Sequence, residues 1–265
     1  MKDTVKRDVR ELRTLIYDIE TTPILGYTWG MHDTNVIEMV EPSHQLCYAY
    51  KWLGESDEDI KVVSQRQFHR AYKRNLKDDR QLISSLHALF DEADIIVGHN
   101  SNNFDQKKAQ ARMLVHGLDA PAPYFQVDTL QIARRQFKFE SNKLGELAKQ
   151  LGIEQKGETG GLSTWFGCMA GNPEAWDKME KYNRQDVVVL EQVYEKLLYG
   201  GWIDRHPNIA NITGRLEACP KCGAEGRMMK RGYAYTGTIV YTKYKCGSCN
   251  SYSRERKSGT GPRFS

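Results

Sequence analysis

The run LRTLIYDIETTP, from Leu12 to Pro23, decides the fold. Its first nine residues, Leu12 to Glu20, are largely apolar and stop at the turn-prone Thr-Thr-Pro, which reads as a β-strand. Side chains alternate across a strand, so Asp18 and Glu20 share one face. Ile19 points to the other and can pack into a core. Two neighbouring carboxylates repel and raise each other's pKa, and a bound divalent cation removes that conflict. Asp-x-Glu alone is also common where a strand enters an exposed turn.

Outward from this strand, apolar runs and helical spacings alternate as far as residue 200. Strands are expected over His44–Leu53, Ile60–Ser64, Ile95–Gly98 and Tyr124–Val127. Leu82, Leu86, Leu89 and Phe90 have helical spacing, placing a helix over Asp78–Asp91. Further helices are expected over Asp105–His116, Thr129–Phe137 and Asn142–Leu151, the last closed by Gly152. Glu154–Pro173 holds five glycines and no periodicity, and reads as a long mobile loop. Pro173 then opens a helix running towards Leu198, ended by Gly200-Gly201. This alternation predicts an α/β domain over residues 1–200. Residues 201–265, short strand-like runs between paired cysteines, form a second, small module.

Two more carboxylates sit in recognisable settings. In GHNSNNFD, Gly98 to Asp105, a strand ends in a turn and Asp105 begins a helix. Phe104 is expected to anchor that turn in the core while Asp105 faces a cleft; an ordinary helix cap would also explain Asp105. In YNRQD, Tyr182 and Asp186 lie four apart and so share one helix face, and Val187 to Leu190 pack that helix inward.

Taken in order, Asp-x-Glu, Asn-x-x-x-Phe-Asp and Tyr-x-x-x-Asp resemble the three motifs of the DEDD exonuclease superfamily. Asp18-Ile19-Glu20-Thr21-Thr22-Pro23 and Gly98-His99-Asn100 resemble the proofreading domain of family B DNA polymerases, and stand-alone phage and bacterial exonucleases are similar in length. The position five before Asp186 is Lys181, not His, whereas Tyr182 lies four before it, so the chain resembles the tyrosine branch. The resemblance covers roughly residues 12–200. It implies a ribonuclease-H-like fold, a mixed sheet with helices on both sides, and 3′→5′ phosphodiester hydrolysis with two Mg²⁺ or Mn²⁺ ions about 3.5–4 Å apart. Oxygen ligands suit such hard cations. By the same resemblance Asp18 bridges both ions, Glu20 and Asp186 complete the one holding the nucleophilic water, Asp105 serves the other, and Tyr182 orients the water. With an ordinary pKa near 10, Tyr182 is a poor base at neutral pH. Thr21 lies where the family places the terminal nucleotide, and Asn100 is expected to reach the substrate strand. Asp128 matches a recurring family segment, but capping the next helix is its plainest role. Trp165 and Phe166 either stack on bases or pin their loop to the core.

Cys219-Pro-Lys-Cys222 and Cys246-Gly-Ser-Cys249 are separated by 23 residues. Two such turns make a four-thiolate site, the pattern of a structural zinc ribbon; an iron–sulfur cluster is the rival. Residues 201–265 carry 12 Lys/Arg against 4 Asp/Glu, leaving 26 against 30 for residues 1–200, so the net +4 divides into +8 and −4. Lys230, Arg231, Lys243, Lys245, Arg254, Arg256 and Lys257, interleaved with tyrosines, suit nucleic acid, DNA more than RNA, although such ribbons also serve protein partners. No run is long and apolar enough for a membrane, and the charged first residues lack a signal core, so a cytoplasmic protein of a bacterium or a phage-infected host is expected. A catalytically silent nucleic-acid binder and a structure-specific endonuclease stay open. A polymerase is not expected, because nothing in residues 201–265 is large enough for its domain.

Overall fold

The structure is a computed structural model that describes residues 11–32, 35–153, 161–237 and 239–255. In chain order it runs β1 (Thr14–Thr21), a short hairpin of β2 (Leu25–Tyr27) and β3 (Glu38–Glu41), then β4 (Gln45–Trp52) and β5 (Lys61–Ser64). Helices α1 (His69–Arg74) and α2 (Arg80–Glu92), strand β6 (Ile95–Gly98) and helix α3 (Asp105–Val115) follow. Next come β7 (Phe125–Asp128), α4 (Thr129–Gln136), α5 (Leu144–Gln150), α6 (Leu162–Met169) and α7 (Pro173–Tyr199). The last elements are α8 (Ile209–Thr213), β8 (Met228–Tyr235), β9 (Val240–Cys246) and β10 (Tyr252–Arg254).

Two compact units emerge. The larger comprises Arg13–Gln131 and Phe139–Glu191; the smaller takes in Ile132–Lys138 and the chain from Gln192 onward. The larger is built on a five-stranded sheet of order β5–β4–β1–β6–β7. β1 pairs antiparallel with β4 and parallel with β6, so the sheet is mixed and β1 is its centre. Alternation along β1 supplies one face of the core. Leu15, Tyr17 and Ile19 pack against Leu82, Leu86 and Phe90 of α2 and Ala109 and Met113 of α3. The Tyr17 ring meets Phe90 edge-on at 5.2 Å, and its hydroxyl lies 2.7 Å from Ser101 Oγ. A separate cluster joins Leu46 and Cys47 of β4 to Cys168 of α6 and Ala175, Trp176 and Met179 of α7. Each fully buried side chain of this kind contributes about 1.5–3 kcal/mol. The expected ribonuclease-H-like α/β architecture is what is found.

One buried ion pair fixes the register of α7 on this sheet. Lys51 of β4 is only 2% exposed, and its ammonium donates to Glu191 at 2.6 Å and to Asp57 at 3.0 Å. Removing Glu191 leaves the buried ammonium with only the half-exposed Asp57, and loss of a buried charge's partner typically costs about 3–5 kcal/mol.

Two regions depart from expectation. Of the loop read over Glu154–Pro173, residues 154–160 lie outside the described residues, but LSTWFGCM, Leu162–Met169, is the helix α6. Gly167, counted as a breaker, is a packing residue: a Cβ there would sit 2.4 Å from the Ala175 Cβ, so its absence lets α6 lie close to α7. Phe104 does not anchor its turn either. It is 40% exposed, whereas Ser101 is fully buried and takes the anchoring role through Tyr17. The β2–β3 hairpin has no counterpart among the expected strands, and it is unusually apolar for an exposed element: Leu25, Tyr27, Trp29 and Met31 are 49%, 63%, 86% and 100% exposed.

The smaller unit holds a three-stranded antiparallel sheet of order β10–β9–β8 beside two cysteine turns. A cluster beside that sheet is made of Cys219, Cys246 and Cys249, flanked by Cys222, Ala224 and Met228.

Candidate functional site

β1 presents Asp18 and Glu20 on one face, as its alternation requires, and Ile19 is buried on the other. The register of β1 on β4 shifts between Glu20 and Thr21, so the strand bends immediately after the second carboxylate. Such bulges re-aim side chains where pairing ends. α7 brings in Asp186, and carboxylate oxygens of Asp18, Glu20 and Asp186 all lie within 4.8 Å of one another. Asp105 does not join that group. It sits at the first turn of α3, 4% exposed, and accepts the Ile19 amide from β1 at 3.4 Å.

The four acids act on one another electrically. Burial, then Asp105, Asp186 and Glu20, push Asp18 well above the usual carboxylate range, opposed by a hydrogen bond from Asn183. Burial, Asp186 and Asp105 push Glu20 up to about 8, opposed by a hydrogen bond from the Trp165 side chain. Burial raises Asp105 to about 7 and Asp186 to about 6. A cluster of carboxylates that resists ionisation is what a cation site looks like without its cation, because positive charge at the centre would reverse each repulsion. The donor set is oxygen only, which fits hard divalent ions and not soft ones.

Tyr182 stands one helical turn before Asp186, as its spacing demands. Burial and Asp186 raise its pKa, and the two side chains share a hydrogen bond in which the hydroxyl donates. Tyr182 is therefore a neutral donor at any ordinary pH. Asn183, the next residue, carried no signal in the sequence. It is fully buried, and its Nδ2 donates to Asp18 Oδ2 at 2.7 Å and to the Asp18 carbonyl at 3.3 Å. It fixes the carboxylate's rotamer and opposes its protonation. Only the repeated pairing of Tyr-Asn with a downstream Asp could have flagged it, and a single sequence does not show repetition.

Asn100 has φ +66°, in the left-handed region that Asn tolerates better than most residues. Its amide and that of Asn102 donate to the two oxygens of Asp128, at 3.0 and 3.1 Å. Asp128 also accepts the amides of Leu130 and Gln131, so one carboxylate caps α4 and shapes the turn leading to Asp105. His99 steadies the same turn, bonded to Thr129 Oγ1 at 2.9 Å and to the Asn142 carbonyl at 2.8 Å. Trp165, on α6, meets the Tyr182 ring edge-on at 6.0 Å; Phe166 is 55% exposed. Thr21 is the last residue of β1, partly exposed beside Glu20.

The second site is sulfur. Cys219 and Cys249 Sγ lie 3.6 Å apart, and Cys222 and Cys246 Sγ 3.8 Å apart. These separations are far too long for disulfides. They match the edges of a tetrahedron, roughly 3.8 Å, around one ion with metal–sulfur bonds of about 2.3 Å. The two turns are alike in backbone. The amides of Gly223 and Asn250 return to the carbonyls of Cys219 and Cys246, at φ +73° and +58°. Amides of Lys221 and Ser248 point at Cys219 and Cys246 Sγ. Asn250, not Gly247, is thus the counterpart of Gly223.

Among the described residues, no helix is long and apolar enough to cross a membrane. The family model RNase_H_2, of the RNase_H superfamily, matches residues 15–198. A DNA polymerase III of PolC type from Ureaplasma parvum is 24% identical over 221 residues, 77% of this chain but 15% of that polymerase, so the chain spans a small part of that relative. Among solved structures, the family B DNA polymerase of the archaeon Pyrobaculum calidifontis shares the fold over 73% of this chain and 25% of its own, with TM-score 0.53 and 19% identity. With the family model matching well over half its length, the chain belongs to the RNase_H superfamily.

Proposed function

We propose that the chain is a metal-dependent 3′→5′ exonuclease acting on single-stranded DNA. The observation that carries this reading is the meeting of Asp18, Glu20 and Asp186 within 4.8 Å, with Asp105 held against the same strand. Acids this close, each raised above its ordinary pKa, suit a pair of Mg²⁺ or Mn²⁺ ions. Bound there, such ions would acidify water and stabilise charge on the leaving oxygen. The chain's own residues do the rest. Asn183 holds Asp18 in one orientation. Tyr182, kept protonated, donates to Asp186, and with that carboxylate on a cation its one proton would be free for the attacking water or a phosphate oxygen. Thr21, next after the bend at Glu20, would meet the terminal nucleotide. Trp165 bonds to Glu20 and meets the Tyr182 ring, and these contacts position the site. The likeness to polymerases of PolC type and family B supports nucleic acid as substrate.

The cysteine cluster is proposed to hold one structural Zn²⁺. Four sulfurs gathered around a single point suit one ion, whereas a cluster would spread them around several irons.

The test is digestion of matched DNA and RNA oligonucleotides, labelled at the 5′ end, with and without Mn²⁺. The expected result is a ladder shortening from the 3′ end on DNA, absent without the cation and absent in Asp18→Ala. Undiminished digestion by Asp18→Ala would refute the reading.

A further inference from the structure

The sheet of the smaller unit has two faces, and its register separates them. Residues paired directly across strands share a face, and successive residues alternate. Tyr252 pairs with Lys245 and Arg254 with Lys243; Met229 also pairs with Lys245 and Ala234 with Tyr241. One face therefore carries Tyr241, Lys243, Lys245, Tyr252 and Arg254. The opposite face carries Lys230, Tyr233, Tyr235, Tyr244, Ser253 and Cys246, the last on the side of the thiol cluster, with one cation beside a ring, Lys230 at 5.4 Å from the centre of the Tyr233 ring.

Three contacts between a cation and a ring lie on the first face. The Arg254 guanidinium stands 5.0 Å from the centre of the Tyr241 ring, and Lys243 and Lys245 stand 5.6 and 5.8 Å from that of Tyr252. Tyr252 is 55% exposed. Among the described residues no acidic side chain pairs with these three cations. The face thus combines three uncompensated charges with two rings, fixed by strands at regular spacing. A single strand of nucleic acid offers the matching chemistry, phosphates for the cations and base faces for the rings. A duplex offers phosphates but hides its base faces, and an acidic protein surface offers charge without planar rings.

We propose that the face bearing Tyr241, Lys243, Lys245, Tyr252 and Arg254 is a binding platform for single-stranded nucleic acid, turned away from the cysteine cluster. It rests on the nuclease reading only in its purpose, which is to retain a strand while its end is digested.

The test is fluorescence anisotropy of the full chain with a labelled oligothymidylate of about 30 nucleotides, without added divalent cations, over a range of salt. Replacing Lys243, Lys245 and Arg254 by Gln should weaken binding at least tenfold and reduce the salt slope by about 2, since each phosphate contact on a single strand contributes roughly 0.7. Tyr241→Ala with Tyr252→Ala should weaken binding about tenfold with the slope unchanged. The control, Lys230→Gln with Tyr233→Ala and Tyr235→Ala, lies on the opposite face and should change affinity less than twofold. Metal content and protease resistance report folding. If a multiple variant loses its metal, Tyr252→Ala and Lys243→Gln alone carry the comparison. Equal losses from both faces, no loss from either, or equal binding and equal loss on duplex would overturn the proposal. Because binding is read without hydrolysis, a chain that binds through this face yet digests nothing would refute the nuclease reading and leave the platform standing.

Discussion

The carboxylate site and the cysteine site each gather side chains from distant parts of the sequence, but they are held in opposite ways. Asp18, Glu20 and Asp105 are placed by a sheet and helices whose apolar core is complete without them: Leu15, Tyr17 and Ile19 are 0–3% exposed against α2 and α3. The acids themselves oppose that arrangement by repulsion. Around residues 219–255 the described apolar cluster is the thiols themselves, with Ala224 and Met228 at the margin. The scaffold thus imposes the first site, whereas the second site makes its own scaffold. Folding free energy flows into the carboxylates and out of the cysteines.

The largest expected effect follows from the second half of that contrast. Metal binding to four thiolates contributes about 10–16 kcal/mol in small zinc modules. Cys249→Ser, or a strong chelator, should expose residues 219–255 to limited proteolysis, while residues 13–191 keep their protease resistance and their melting transition. Loss of both together would break the comparison.

Next comes Asp18→Ala. Hydrolysis should fall by at least 10³-fold, because the side chain at the centre of the cluster is gone. Stability without metal at pH 8 should hold or rise, because one repelling charge has been removed. A fall of several degrees in Tm would show that Asp18 supports the fold rather than being imposed by it.

The sites should also differ in pH response. Glu20, Asp105 and Asp186 have folded-state pKa values of about 8, 7 and 6, above ordinary carboxylate values near 4. The folded protein therefore binds more protons than the unfolded chain between those limits, so stability is greatest below about pH 4 as far as these groups are concerned, and falls as pH rises towards 8. Thermal melts without divalent cations should show that decline. Added Mn²⁺ should reverse it at pH 8 and do little at pH 5. A flat profile would mean that the acids are not strained by the fold.

The smallest effects separate chemistry from positioning. Tyr182→Phe should slow turnover about tenfold to a hundredfold and leave metal affinity unchanged. Asn183→Ala should weaken Mn²⁺ binding about tenfold, as removal of a partner behind a metal ligand does. The reverse pattern would exchange their roles.

What the sequence displays and what it conceals follow the same physics. β1, α2, β6, α3 and α7 are legible within two residues or so, because burial imposes a period of two on strands and 3.6 on helices. The motif acids are legible because chemistry fixes their spacing. α6 is hidden because Gly167 stands in it for contact with Ala175, and a glycine used for closeness looks like one used for bending. The β2–β3 hairpin is hidden because its three- and four-residue strands are exposed, so burial leaves no period in them. Phe104 misleads because an aromatic before a helix is usually buried, and Asn183 is silent because an amide behind a carboxylate has no local signature.

The central claim is that Asp18, Glu20, Asp105 and Asp186 form one site for hard cations. Titrating Mn²⁺ into the protein at pH 8, followed by electron paramagnetic resonance of the free ion, tests it most directly. The wild type should deplete free Mn²⁺ with up to two equivalents bound, and the Asp18→Ala, Asp186→Ala double variant should leave the signal of free ion nearly unchanged. Equal uptake by both proteins would contradict the claim.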